Sequence, residues 1–316
     1  MATPTFPYPT ANFGLAPDFT AQYSSNLELL LQQEESILRP YVTEQGGIVG
    51  KMASPVTQYS SVTMKAPRGL NSPLDANNPY SIRPWIFPQQ GELVEFINEF
   101  DRLQTIVDPQ AGYVKVAAAA TGRYWDDNII ANATGSRQIG TDIGNLVPDS
   151  FSTTLYQVSS TFGSSSASGL TVAKIIEARR ILEHYHNNLE RDPPVIVMGS
   201  QQKADLYNQV QFTSTEFRST AVYDQGGRLR EFMGCRFAVS ERLSVAASVR
   251  TVLVFPRSGV ILGMWKDMEN NIDQRIDLSG RPWQITTRTM FGSVRSQNGK
   301  VVSIACSDSS GQDITP

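Results

Sequence analysis

The sequence predicts an α+β fold, on three observations. One long helical stretch runs through residues 108–140, and both of its ends are punctuated. A second amphipathic helix follows over residues 171–189. The last third is a succession of short apolar runs with strand character.

Composition narrows the classes. The chain has 316 residues, enough for one large or two modest domains with a substantial core. A charged fraction of 18% and a net charge of −3 exclude a strongly basic nucleic-acid-binding protein. No apolar run approaches the length of a membrane span. The N-terminal MATPTFPYPT lacks a basic segment followed by an apolar core, so it is not a secretory signal. Cys235 and Cys306 form neither a metal spacing nor a disulfide framework, which fits a reducing cytoplasm.

Taken in order, residues 1–19 are rich in proline and threonine and read as an extended arm. In residues 22–38, Tyr23, Leu27, Leu30, Leu31 and Leu38 share one helical face, and Pro40 ends that helix. Residues 41–88 carry many glycines, prolines, serines and threonines. They predict a long extended excursion with a poor core of its own, better placed against another copy of the chain. Residues 91–106 stand between helix and strand. Leu93, Phe96, Ile97, Phe100 and Leu103 fit a helix, while Val94, Phe96 and Phe100 also fit a strand.

The long helix opens with Asp108 as cap and Pro109 in the first turn. Val114, Ala117, Ala118, Thr121, Trp125 and Ile129 recur at helical spacing, and the small members allow close packing. Gly135 closes it in a left-handed conformation. About 24 helical residues span roughly 36 Å, which reads as a structural rod.

Strand-like pieces follow at 153–158, then a serine–glycine surface loop at 159–169. The second helix buries Val172, Ile175, Ile176, Ile181, Leu182 and Tyr185 and stops before Pro193 and Pro194. A buried strand at 195–198 and a helix at 201–209 come next. Strands are expected at 236–239, 251–255, 260–264, 283–288 and 301–306, and there is no internal repeat.

Catalytic constellations are scarce. His184 and His186 are the two histidines, and on a helix residues two apart diverge too far to share a metal. Asp126 and Asp127 form an adjacent carboxylate pair beside Trp125, with Arg123 within one turn. An ion pair with Arg123 or with a neighbouring subunit is the favoured role. The competing enzyme reading is a soluble hydrolase using Asp126, Asp127 and a histidine. A third reading is a monomeric binding module using the β-rich end. No nucleophile elbow and no phosphate-loop spacing occurs, and no cofactor is expected. Cys235, between Gly234 and Arg236, reads as a small buried residue of a strand. Arg228 and Arg230, near Arg218, read as a polar rim contact.

Several segments carry a family resemblance. They are Phe100-Asp101-Arg102-Leu103, Asp108-Pro109, the alanine run, Gly122-Arg123 through Asp126-Asp127, Ile129-Ile130 and Gly135. Glu231-Phe232-Met233-Gly234, Arg236-Phe237 and Phe291-Gly292-Ser293-Val294-Arg295 continue the series. Their order resembles the major capsid (coat) proteins of tailed bacteriophages, podovirus-like and with the Hong Kong 97-type fold, from about residue 19 to residue 306. The resemblance implies an N-terminal arm at 1–39 and an E-loop at 40–90 lying over an adjacent subunit. It implies a P-domain at 91–170 with its spine helix at 109–134, an A-domain at 171–264, and return strands at 265–316. It further implies a non-enzymatic protein without cofactor, assembling as hexamers and pentamers into an icosahedral shell around double-stranded DNA. A separate scaffolding protein and a portal are the expected partners besides other copies, with no membrane partner. Assembly is expected in the bacterial host cytoplasm, and residence in the virion capsid. Arg123, Trp125, Asp126, Asp127, Lys51, Lys65, Arg68, Arg228 and Arg230 are the candidate structural or intersubunit residues.

Overall fold

The computed structural model describes residues 32–66, 69, 76–97, 110–209, 229 and 231–308. It opens with β1 (Thr43–Gln45), β2 (Gln58–Tyr59), β3 (Ser81–Trp85) and the longer β4 (Gln89–Ile97). The long helix is α1 (Gln110–Thr134). A hairpin of β5 (Arg137–Gly140) and β6 (Val147–Asp149) leads to a single turn, α2 (Thr153–Tyr156), and β7 (Gln157–Val158). Then come α3 (Val172–His184), β8 (Pro194–Met198), α4 (Ser200–Tyr207) and β9 (Arg236–Val239). The chain closes with β10 (Val245–Ala246), β11 (Val249–Pro256), β12 (Val260–Gln274), β13 (Trp283–Arg295) and β14 (Val302–Ser307).

The described residues form three sheets. One has the order β1-β12-β13-β4, and a peripheral one the order β2-β3-β5-β6. The third runs β7-β14-β11-β8-β9, with β10 on β11. This third sheet is covered on both faces. Ile196, Met198, Val252 and Val254 point toward Ile175, Ala178 and Leu182 of α3. Val195, Val197, Leu253 and Phe255 belong to the core that α1 supplies with Trp125, Ile129 and Ala133. Double coverage is why these strands read as unbroken apolar runs instead of alternating ones. The first sheet closes the α1 core from the other side with Leu262, Met264 and Phe291.

Several expectations are corrected. Residues 32–38 are irregular and lead into a 3₁₀ turn, Arg39–Tyr41, so the expected arm helix does not extend to Leu38. The amides of Ile37 and Leu38 are spent on a carboxylate, which removes them from any helical ladder. The stretch after residue 90 resolves as strand through Ile97, paired with β13 from Trp283↔Ile97 to Phe291↔Gln89. Asp108 and Pro109 lie outside the described residues.

The piece at 153–158 is half helical, since Leu155 and Tyr156 both donate to Ser152 O before β7 joins β14. Helix α3 ends at His184, short of Leu189. Asn187 Nδ2 takes the Leu182 and Gly299 carbonyls, both at 2.8 Å, and so closes the helix end. Strands β12 and β13 run far past their expected ends. Beyond Met264, β12 is mostly exposed and polar, so its ladder with β13 holds it, whereas the added residues 289–295 of β13 are mostly buried.

The excursion over 40–90 is poor in core, with Val42, Pro84, Trp85 and Ile86 as its buried residues among those described. Each is buried by other parts of the chain. Ile86 packs on Ile261 and Val294, and Trp85 Nε1 donates to Gly140 O at 3.2 Å.

Phe291 is fully buried and meets Tyr124 and Trp125 edge to face, with ring centroids 5.1 and 6.3 Å away. Phe291→Ala is expected to cost about 3–5 kcal/mol in denaturant unfolding of the free subunit. Ile276→Ala, at a side chain 79% exposed, should stay within about 0.5 kcal/mol. Equal effects at both positions would contradict this placement of the core.

Candidate functional site

The candidate residues along α1 divide by helical angle into three faces. Trp125 and Ile129 point into the core. Gly122, Arg123 and Asp126 meet residues 32–38. Asp127 points toward Arg242, in the turn after β9.

The second face is a latch. A Cβ on Gly122 would lie 2.8 Å from Ser36 N and 3.1 Å from Glu35 C, so the arm base crosses in backbone contact there. Asp126 is fully buried. Its Oδ1 accepts from Ser36 Oγ at 2.6 Å and Leu38 N at 3.1 Å. Its Oδ2 accepts from Gln33 Nε2 at 2.5 Å and Ile37 N at 3.0 Å. Four donors fill the four lone-pair positions of one carboxylate. Arg123 Nη1 donates to Gln32 Oε1 at 3.0 Å and to Gln33 O at 2.9 Å. The expected pairing of Arg123 with the aspartates is therefore corrected: Arg123 and Asp126 both grip the arm base, and Asp127 takes both arms of the Arg242 guanidinium. That hydrogen bonding raises the pKa of Arg242.

Trp125 carries the latch into the core. Its Nε1 donates to Thr289 Oγ1 at 3.3 Å, and the Arg39 guanidinium stacks 4.5 Å from its ring centroid. Arg39 also pairs with Glu44 at 2.8 Å and Asp267 at 3.2 Å, and its pKa rises, through Glu44 above all. Further along α1, Ser293 Oγ donates to Asn128 Oδ1 at 2.7 Å, and Asn132 Nδ2 donates to Ser293 Oγ at 3.0 Å.

The C-terminal end of α1 has a different device from the one expected. Gly135 does not adopt a positive φ. The fully buried Arg295 donates through Nη1 to Ala133 O at 2.8 Å and Gly135 O at 2.9 Å. A cation replaces the left-handed glycine cap and complements the negative end of the helix dipole. Burial, and next the neighbouring Arg137, push its pKa down to about 10.

Lys174 is a second buried cation. It donates to Ser168 O, Gly169 O and Ala305 O at 2.7, 2.9 and 3.2 Å, and burial lowers its pKa. Neither Arg295 nor Lys174 was singled out from the sequence. Lys174 shares helical register with Ala178 and Ile181, and that position within an apolar stripe was the available signal.

The other sequence candidates scatter. Lys51 and Lys65 are exposed and form no ion pair among the described residues. Arg68, Arg228 and Arg230 lie outside the described residues. Neither histidine is a partner of Asp126 or Asp127; His184 ends α3 with its ring against Tyr185. Among the described residues there is no group of ligating side chains suited to a metal. The hydrolase reading is thus corrected, because Asp126 has no free lone pair for a proton or a metal. Cys235 and Cys306 are buried free thiols, with Cys235 one residue ahead of β9.

A family profile described as phage capsid protein matches residues 15–308. A sequence comparison with curated proteins finds no match. Solved structures with similar folds include the capsid of cyanophage P-SCSP1u, with a TM-score of 0.69 and 14% identity, covering 92% of this chain and 94% of that one. The cyanophage Pam1 capsid scores 0.67 at 14% identity, with coverage of 95% and 100%. The capsid of Ralstonia phage GP4 scores 0.66 at 12% identity, with coverage of 98% and 100%. At these identities the likeness is one of fold.

Asp126→Asn turns one acceptor oxygen toward donors as a donor itself. It is expected to cost about 3 kcal/mol in denaturant unfolding. Arg123→Ala should cost about 1 kcal/mol. Asp127→Asn, at a half-exposed pair, should cost at most about 1 kcal/mol. A silent Asp126→Asn would remove the latch. Burial also lifts Cys235 to about 11 and Cys306 to about 12, so neither thiol should react with maleimide at pH 8 until the chain unfolds. These folded-state values lie above the ordinary 9.0, so the stability they carry is intact below pH 9. It falls as the pH climbs from there through 11 and 12, which a pH series of melting temperatures would register.

Proposed function

The chain belongs to the phage capsid protein family, and from that premise we propose that its copies assemble as hexamers and pentamers into an icosahedral shell enclosing double-stranded DNA. It is a structural shell protein with the Hong Kong 97-type fold, and it is not an enzyme. The observation that carries the assembly reading is the family match over residues 15–308. Shell proteins hold together through surfaces that a lone subunit leaves bare, and this chain leaves such surfaces. In the excursion, Val49 is 93% exposed, Tyr59 71% and Met64 103%.

Within this reading the arm comprises residues 1–39, the E-loop 40–90, and the P-domain 91–170 with its spine helix over 109–134. The A-domain comprises 171–264, and the strands of 265–316 return to the P-domain. Arg123, Trp125 and Asp126 organise the spine. Asp127 is structural alongside them, and Lys51, Lys65, Arg68, Arg228 and Arg230 serve structural or intersubunit contacts. A separate scaffolding protein and a portal complete the assembly set. The shell forms in the host cytoplasm and remains as the virion capsid. The mildly acidic composition keeps an enclosed genome mobile instead of bound.

Coexpression with the scaffolding protein of the same phage should give large particles in sedimentation and negative-stain microscopy. A strictly monomeric chain of 34.8 kDa under those conditions would refute the shell reading. Limited proteolysis should cut free subunits near Lys51, Lys65 or Arg68 and spare those sites in particles. Equal resistance in both states would count against an E-loop covered by a neighbour.

A further inference from the structure

A cleft of about 390 Å³ opens where the end of α1 meets β13, the β3–β4 connection and the β5–β6 hairpin. Sites that hold a small ligand or a few side chains enclose roughly 300–1,000 Å³. Trp85, Phe87 and Leu146 supply an apolar wall, and Gln89, Asn132 and Gln138 an amide-rich one. Phe87 is 42% exposed, a large aromatic face left bare beside the buried Trp85. Among the described residues no carboxylate lines the cleft. Arg137, the cation in its lining, is spent on Asp149 at 2.7 Å. Gln89 Oε1 accepts from Asn128 Nδ2 at 2.5 Å, which leaves the Gln89 Nε2 hydrogens unspent among the described residues. Bare aromatic faces beside neutral amide donors suit an uncharged, proline-rich segment. Such a segment offers flat apolar rings and carbonyl acceptors, and few amide donors of its own.

The chain carries one. Residues 1–17 contain no charged side chain. Within them Pro4, Pro7 and Pro9 have a fixed φ, and Thr3, Phe6 and Tyr8 each precede a proline, which restricts them to extended backbone. Six of the seven residues 3–9 are thereby biased toward polyproline II, so docking has little left to order. Three residues make one turn of that helix, which puts Pro4 and Pro7 on the same edge. We propose that residues 4–9 of the chain's own arm lie in this cleft, with Pro4 and Pro7 against Phe87 and Trp85. The reach is sufficient. Gln32 is held at Arg123, and Asn132 lies nine residues further along α1, about 14 Å away along the axis. The 22 residues from Thr10 to Leu31 span up to roughly 75 Å when extended. Tethering also keeps the chain's own segment at a higher effective concentration than that of another copy in dilute solution. The arm is then fixed twice, at its base by Asp126 and near its tip by this cleft.

The test is a disulfide pair, Tyr8→Cys with Ser136→Cys, in the full-length free subunit, read by mass spectrometry of an unreduced digest. Ser136 is an exposed member of the lining, and the native thiols Cys235 and Cys306 are buried and do not compete. A monomer carrying the 8–136 linkage supports the contact. Absence of the linkage overturns it, and so does a linked dimer, which puts the segment on a second copy. Pro4→Ala with Pro7→Ala alters no residue of the described fold and should lower the linked fraction severalfold. An unchanged fraction overturns recognition of the prolines. Phe87→Ala should lower the fraction likewise, and an undiminished fraction in a folded variant overturns the aromatic wall. Raising the salt tenfold should leave the fraction unchanged, because the contact holds no ion pair, and a collapse with salt overturns neutral recognition. The readout is made on free subunits, so a failure of the shell reading is seen separately.

Discussion

A buried carboxylate, with Arg123 beside it, holds residues 32–38 to α1. Burying Asp126 is costly unless every lone pair is met, and the four donors that meet them all come from a six-residue stretch, Gln33–Leu38. That stretch can then be neither helix nor strand, because two of its amides are committed. Gly122 is the geometric partner of this arrangement, since the arm can reach Asp126 only by crossing where a Cβ is absent. The charge and the missing side chain are one turn apart on the same helix, and the arm's path follows from both.

The rest of the molecule extends that arrangement inward. Trp125 is adjacent to Asp126 in sequence and points the other way, into the core that two sheets share. Arg39, just past the latched stretch, closes over the same indole and ties it to Glu44 and Asp267. At the far end of the helix Arg295, from a strand of the first sheet, takes the last carbonyls. The C-terminal half of α1 is thereby fixed by groups distant in sequence. That suits a rod on which long-range organisation rests better than helix propensity would.

Legibility followed apolar periodicity. The long helix, α3, the buried strand at 195–198 and the β-rich last third declare themselves because packing decides them and packing leaves a period in the sequence. The irregular stretch at 32–38 does not, because its conformation is set by a carboxylate some ninety positions away. The outer part of β12 escapes for the opposite reason. Hydrogen bonding to β13 holds it, and its exposed side chains carry no alternation. In the candidate site, Asp126, Trp125 and Arg123 were visible as a cluster, but their partners were not. Adjacent residues on a helix face different neighbours, and only the fold says which. Arg295 was hidden for a related reason: a buried arginine at the end of an apolar strand reads as that strand's polar terminus.

Strands β12 and β13 leave the core as a ribbon whose register shifts twice, between Met264 and Lys266 and between Lys266 and Glu269. Residues before the first shift are buried, and most of those beyond the second are exposed. Bending β12 past that point disturbs hydrogen-bond angles and displaces mostly exposed side chains of its own. Compliance and cohesion are thus assigned to different residues. Identical chains in a closed shell must meet their neighbours at more than one dihedral angle, and an exposed strand held by its ladder can take up such a difference where a packed core cannot.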